Sequence, residues 1–182
     1  MNRQGCRPFL GDRIYEGVDG EKTLPRPGAW RSTTVKSHSV WRCPVFEYCY
    51  CLVVDGGALN QGSADSAGYG SFRLEARTGQ KQTIRLNFGR GVTNNEAEYR
   101  TLIAGLKDLV GRIQRAGKAP SGYSLLLHTD SQLVVGQLAQ GWQVKAANLR
   151  PLVDEAAALM QAFGRCDLVK VPRDEIVRVL GH

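Results

Sequence analysis

Three stretches of this sequence place an acidic side chain where a strand is expected to end or a helix to begin. Asp55 and Asp130 each follow an apolar run, and Glu98 lies in the stretch 93–99 at the start of a helical pattern. Side chains from such positions can converge on one spot, and carboxylate oxygens are ligands that suit Mg²⁺ and Mn²⁺. Divalent cations held in this way activate water for phosphodiester hydrolysis. The three acids are therefore candidate metal ligands.

Two of these three acids also have a structural interpretation. Asp is common in turns and at helix N-termini, so Asp55 and Asp130 taken alone could be turn or cap residues. Glu96 is best explained as half of a capping box with Thr93, in which each side chain satisfies the backbone N–H of the other residue. Glu98 has no such local partner and lies on a different helical face. The pattern therefore favours Glu98 over Glu96 as the metal ligand.

The spacing of apolar residues predicts the elements that must position these acids. Runs rich in β-branched and aromatic residues predict five strands, over 46–54, 68–76, 82–88, 124–128 and 167–171. Helical spacing predicts helices over 94–116, 131–140 and 148–163, and a final helical turn or two after Pro172. The first strand is expected to stop in a turn at Asp55-Gly56-Gly57. Three strands followed by alternating helices and strands predict an α/β fold, a mixed five-stranded sheet flanked by helices.

Composition narrows the class of protein. The 182 residues suit one domain, and 42% apolar with 23% charged residues is ordinary for a globular protein. A net charge of +7 favours an anionic partner, with nucleic acid the first candidate. No apolar run approaches the roughly 18–20 residues of a membrane span, and the first residues lack the apolar core of a signal peptide. We therefore expect a cytoplasmic protein with no membrane partner.

The first 46 residues differ in composition from the rest of the chain. They contain eight basic and four acidic residues, a net charge of +4, with little apolar periodicity. This composition predicts a loosely structured basic arm over 1–46, followed by the main domain over 47–182.

The motifs and their order resemble the type 1 ribonuclease H family, and most closely its bacterial and archaeal "reverse transcriptase-like" members. The resemblance covers about residues 47–180. It depends on Asp55-Gly56, Gly68-Tyr69-Gly70, Thr93-Asn94-Asn95-x-Ala97-Glu98-Tyr99, Thr129-Asp130-Ser131-Gln132 and Val171-Pro172-Arg173. It implies a ribonuclease H-like fold and a metal-dependent endonuclease that hydrolyses the RNA strand of RNA–DNA hybrids. It also implies a two-ion Mg²⁺ or Mn²⁺ site, and we expect a monomer.

The resemblance implies roles for particular residues. The catalytic and metal-binding carboxylates correspond to Asp55, Glu98 and Asp130. Nucleic-acid contacts are expected at Asn94, Asn95, Ser131 and Gln132, although the two asparagines could simply begin a helix. A further contact is expected at Gly56, where the missing side chain would let backbone amides approach a phosphate closely. The sequence lacks the family's basic protruding helix, and the stretch 141–145, which ends in Lys145, is expected to supply a smaller contact to the DNA strand.

One departure from the family pattern concerns the end of the chain. The family usually has a fourth carboxylate at the position of Leu180. Either this ligand is missing, or His182, the terminal carboxylate or a water replaces it, which makes His182 a further candidate catalytic residue. The departure leaves an alternative function open, namely a nuclease-fold nucleic-acid-binding module with weak or no catalysis.

Overall fold

The computed structural model describes residues 47–60 and 66–181. The basic arm predicted over 1–46 and the candidate residue His182 lie outside the described residues. Within the described ranges the elements are, in chain order, β1 (Tyr50–Leu59), β2 (Ala67–Ala76), β3 (Lys81–Arg90), α1 (Asn94–Arg115), a 3₁₀ turn (Pro120–Gly122), β4 (Ser124–Thr129), α2 (Gln132–Ala139), α3 (Arg150–Gln161), β5 (Arg165–Lys170) and α4 (Arg173–Leu180). This order confirms the predicted succession of strands and helices. No helix in these ranges is long and apolar enough to cross a membrane.

The five strands form one mixed sheet in the spatial order β3-β2-β1-β4-β5. β2 pairs antiparallel with both β1 and β3, whereas β4 runs parallel to β1 and β5 runs parallel to β4. The predicted mixed five-stranded sheet is confirmed. β1 is the central strand, and its residues are buried on both faces, which explains its nearly continuous apolar sequence.

The predicted end of the first strand was wrong. β1 continues through Asp55 and both following glycines to Leu59, which pairs with Ala67 of β2. The glycines mark a close approach to α1, not a turn. A Cβ atom on Gly56 would lie 2.4 Å from the carbonyl oxygen of Ala97 in α1, so that only glycine lets the helix backbone pack on the strand here. Asp55 therefore lies inside a strand.

Apolar side chains cover both faces of the sheet. One cluster joins the sheet to α1 and α3 and includes the fully buried Leu52, Leu102 and Leu106. A smaller cluster on the opposite face contains Ile176 and Leu180 of α4. Burial of each such side chain contributes roughly 1.5–3 kcal/mol. The central strands and α1 are thereby fixed as a rigid support for the side chains at their ends.

Candidate active site

Asp55 and Asp130 lie at the same edge of the sheet because β1 and β4 are parallel neighbours. The last paired residues are Val53 and His128, and each aspartate lies two positions further along its chain. The Asp55 side chain is buried, and that of Asp130 is 15% exposed. One nitrogen atom, Nη1 of Arg173, donates to Oδ1 of Asp55 at 2.6 Å and to Oδ2 of Asp130 at 2.9 Å. The Arg173 guanidinium thus bridges the two carboxylates through a single nitrogen atom.

The sequence indicated the stretch that contains Arg173 but not the role of its side chain. The backbone N–H of Val171 donates to the carbonyl of Thr129 at 2.9 Å, which places the start of α4 beside the end of β4. The pKa of Arg173 is raised, first by its hydrogen bond to Asp130 and then by the negative charge of Asp55. The Arg173 guanidinium therefore stays charged between the two aspartates. Its side chain is 57% exposed.

Glu98 joins the site from α1. Its Oε2 atom accepts a hydrogen bond of 2.6 Å from Oγ of Ser131, and the same hydroxyl accepts from the backbone N–H of Val134 at 3.2 Å as the N-cap of α2. The pKa of Glu98 is raised to about 7, first by burial and also by the negative charges of Asp130 and Asp55, against the opposing effects of the Ser131 hydrogen bond and of Arg173. The structure therefore brings the three acids predicted from the sequence into one electrostatic cluster.

Glu96 has the structural role that the sequence predicted. The backbone N–H of Thr93 donates to Oε2 of Glu96 at 2.9 Å, and the backbone N–H of Glu96 donates to Oγ1 of Thr93 at 3.3 Å. Burial of Glu96 acts to raise its pKa, but the hydrogen bonds from Thr93 outweigh this effect, so the pKa is lowered. The capping box is confirmed, and it separates Glu96 from the cluster that contains Glu98.

The donor set of this cluster suits the divalent cation that the family implies. Carboxylate oxygens are hard ligands of the type that Mg²⁺ and Mn²⁺ take, and the bridging Arg173 shows that a positive charge is favourable between Asp55 and Asp130. In the arrangement seen across 47–60 and 66–181, no three acidic, histidine or cysteine side chains form a group that could hold a metal ion. The Glu98 carboxylate is bonded to Ser131 instead. The residues fit the metal in type, and in this arrangement the space between Oδ1 of Asp55 and Oδ2 of Asp130 is taken by Nη1 of Arg173.

The residues predicted to contact nucleic acid differ in their surroundings. Asn95 and Gln132 are exposed in the first turns of α1 and α2. Oδ1 of Asn94 accepts from the backbone N–H of Ala58 at 3.2 Å and so ties the start of α1 to the end of β1. Ser131 is buried and bonded to the acidic cluster. The contacts of these residues with nucleic acid stay predictions.

Gly56 is also buried, and the physical reason for this glycine differs from the expected one. Its missing side chain makes room for the backbone of Ala97 and Glu98, whereas the sequence suggested room for a phosphate. A glycine at position 56 of β1 is therefore needed, because it lets α1 approach closely enough to bring Glu98 beside β1.

The stretch 141–145, which was predicted to contact the DNA strand, lies in the loop after α2. Trp142 donates its backbone N–H to the carbonyl of Gly136 at 2.9 Å, and a Cβ atom on Gly136 would lie 2.3 Å from the indole ring. The ring therefore packs on the backbone of α2 while 48% of the residue stays exposed. Lys145, three residues further along the chain, is exposed. An open cavity of about 610 Å³ adjoins this loop and is lined by Gln143, Val144, Lys145, Arg150 and Asp154.

Leu180, at the position where the family has its fourth acid, is a core residue. It is 3% exposed and belongs to the apolar cluster under α4 with Ile176. The end of α4 is fixed by two arginines of the sheet, since Arg73 donates to the carbonyl of Val179 and Arg85 to that of Gly181, both at 3.1 Å. The described part of α4 contributes no fourth carboxylate at this position.

Comparison with known proteins identifies relatives of this chain. Residues 54–179 match the family model described as reverse transcriptase-like. The bifunctional protein Rv2228c of Mycobacterium tuberculosis is 36% identical over 125 residues, which are 67% of this chain and 31% of that protein. The chain thus spans about a third of the length of the curated relatives that it matches.

Two solved structures are similar over most of their length. RNase H1 of the archaeon Halobacterium salinarum has 26% sequence identity and a TM-score of 0.58, with coverage of 71% of this chain and 89% of that chain. The N-terminal RNase H domain of Rv2228c from Mycobacterium tuberculosis, solved as a fusion with maltose-binding protein, has 29% identity and a TM-score of 0.55. Its coverage is 70% of this chain and 91% of that chain.

Proposed function

This chain belongs to the reverse transcriptase-like branch of the ribonuclease H family, and we propose that it is a metal-dependent endonuclease that hydrolyses the RNA strand of RNA–DNA hybrids. The observation that carries the proposal is the convergence of Asp55, Glu98 and Asp130 at one edge of the sheet. Burial and the negative charges of Asp130 and Asp55 raise the pKa of Glu98, so a charged Glu98 destabilises the metal-free fold, and the arrangement is explained if the three acids bind cations.

The roles of the side chains follow from their positions. Asp55 within β1 and Asp130 directly after β4 would hold Mg²⁺ or Mn²⁺, and Glu98 would complete the ligand set from α1. A pair of such ions, when bound, would activate the attacking water and stabilise the leaving 3′ oxygen. Ser131 positions Glu98 through its 2.6 Å hydrogen bond. Because the pKa of Glu98 is near 7 without a cation, cation binding would also keep this carboxylate ionised.

Substrate recognition would use the exposed residues around the acids. Asn95 and Gln132 project from the first turns of α1 and α2, where they could read the 2′-hydroxyls in the wide minor groove of a hybrid. Lys145 and the half-exposed Trp142 lie on the loop after α2 and would contact the backbone and sugars of the DNA strand. The net charge of +7 would favour binding of any such duplex.

A second candidate function is a nucleic-acid-binding module with little catalysis. The observation that favours it is the buried Leu180 at the position of the fourth acid. With only three carboxylates, one of two cations would be held weakly. Mn²⁺ would then support more activity than Mg²⁺, since it binds such ligands more tightly.

The two functions can be separated with one set of labelled duplexes. An RNA–DNA hybrid labelled on its RNA strand is incubated with the full chain in Mg²⁺, in Mn²⁺ and in chelator, beside a DNA duplex of the same sequence. Cleavage of the RNA in metal alone, with the DNA duplex intact, is the expected result. A hybrid that is bound but stays whole in both metals would support the binding module, and a hybrid that is neither bound nor cut would contradict both functions.

A further inference from the structure

The acidic cluster includes one positively charged side chain, that of Arg173. Nη1 of Arg173 contacts Asp55 at 2.6 Å and Asp130 at 2.9 Å, so one guanidinium nitrogen bridges two carboxylates that come from neighbouring strands. This is the kind of position, between two carboxylate oxygens, that a divalent cation takes. Nη1 of Arg173 occupies the space between Oδ1 of Asp55 and Oδ2 of Asp130, so a cation bound between these two oxygens would displace the guanidinium.

The Arg173 side chain can leave this position without moving its helix. α4 is anchored by the buried Ile176 and Leu180, and its last carbonyls accept hydrogen bonds from Arg73 and Arg85. The start of α4 is held separately by the backbone bond from Val171 to Thr129. The Arg173 side chain itself is 57% exposed, so water can solvate the guanidinium once it withdraws. Its contacts with the acids are thus dispensable for the placement of α4.

We propose that Arg173 competes with divalent cations for Asp55 and Asp130 and thereby sets the affinity of this site for metal. The inference rests on the proposed function only in taking these aspartates as metal ligands. In the metal-free protein the guanidinium offsets the repulsion between the acids, and on metal binding the cation replaces it. Metal binding therefore replaces one positive charge by another. The apparent metal affinity is lowered by the free energy needed to break the ion pairs of Arg173 with Asp55 and Asp130.

The test measures Mn²⁺ binding directly, from the paramagnetic resonance signal of free Mn²⁺ in a titration of the chelator-treated full chain. Arg173→Gln removes the competing charge, and we expect it to bind Mn²⁺ about three- to tenfold more tightly than the wild type, as two partly exposed ion pairs allow. Arg173→Lys keeps a positive charge and should stay closer to the wild type. Arg178→Gln removes the same charge from an exposed position of α4 and should leave the affinity within about twofold of the wild type.

Thermal unfolding separates competition from a merely structural role. Without metal, Arg173→Gln leaves the repulsion between Asp55 and Asp130 uncompensated, and the melting temperature should fall by about 2–4 °C. With saturating Mn²⁺ the melting temperatures of the variant and the wild type should converge. A structural brace would instead lower the melting temperature equally with and without metal.

Each outcome decides something definite. Equal or weaker Mn²⁺ binding by Arg173→Gln would overturn the competition and leave the proposed function intact. Tighter binding by the variant, together with failure to cut any hybrid, would uphold the competition and contradict the nuclease. Lack of Mn²⁺ binding by both proteins at millimolar concentration would overturn both, because the aspartates would then not be metal ligands.

Discussion

Replacement of Glu98 by Gln should stabilise the metal-free protein at alkaline pH. Burial and the charges of Asp130 and Asp55 raise the pKa of Glu98 from 4.5 to about 7. The folded protein thus holds a proton up to a higher pH than the unfolded chain does, so the free energy of unfolding falls as the pH rises from about 4.5 to about 7. Gln has no charge to bury, and its side-chain oxygen can still accept the hydrogen bond from Ser131.

The magnitude follows from the size of the pKa shift. At about 1.4 kcal/mol per pKa unit, the shift from 4.5 to about 7 corresponds to at most about 3.5 kcal/mol. Glu98 is partly exposed, and screening by solvent lowers this to about 2 kcal/mol. We therefore expect Glu98→Gln to exceed the wild type by about 2 kcal/mol in free energy of unfolding at pH 8, with the difference shrinking toward zero at pH 4.5.

Urea denaturation between pH 4.5 and 8.5 measures this difference, with a chelator present because bound cations would mask the repulsion. Glu96→Gln is the matched control, two residues away on the same helix. The pKa of Glu96 is lowered in the folded state, so its charge contributes stability above the unfolded pKa that is lost as the pH falls. This variant should therefore lose about 0.5 kcal/mol at pH 8. An unchanged free energy for Glu98→Gln at pH 8, or a gain that persists at pH 4.5, would refute the reasoning.

Two further predictions concern the support of the site. Gly56→Ala should lower the free energy of unfolding by about 2–3 kcal/mol in urea denaturation, because its Cβ would meet the α1 backbone. Gly122→Ala, whose Cβ meets nothing within 4 Å, is its control, and equal costs would refute the close-packing argument. Leu180→Asp should cost about 3 kcal/mol, since it buries a carboxylate among apolar side chains. A stable Leu180→Asp protein with faster Mg²⁺-dependent cleavage would show that this position belongs to the site.

The sequence predicted the order of elements because each has a strong local signal. Alternating or continuous apolar residues reveal which face is buried, and the capping box of Thr93 and Glu96 fixes the start of α1. The error at β1 arose because Gly56-Gly57 signals a turn by composition. The strand continues because it pairs with β2 and because α1 packs closely against it. Both are tertiary contacts, which a local sequence pattern cannot predict.

The acids of the site were predictable, but their partners were not. Arg173 contacts Asp55 across 118 residues of sequence, and its pairing depends on where α4 begins relative to β4. Ser131 gave a usable signal, because a serine directly before a helix is a common N-cap, yet its bond to Glu98 required the packing of α1 beside α2. Ile176 and Leu180 lie four residues apart, one turn along α4, and the structure buries both on one face of this helix.

The most direct test of the central claim compares two Asp→Asn variants in RNA–DNA hybrid cleavage under single-turnover conditions in Mn²⁺. Asp130→Asn keeps the size of the side chain and removes one ligand charge, whereas Asp174→Asn makes the same change at an exposed position in the first turn of α4. If Asp55, Glu98 and Asp130 form the catalytic metal site, Asp130→Asn should cut the RNA strand slower by a factor on the order of 100, with its melting temperature preserved. Asp174→Asn should cut at the wild-type rate. Cleavage by Asp130→Asn at a rate close to that of the wild type would contradict the claim.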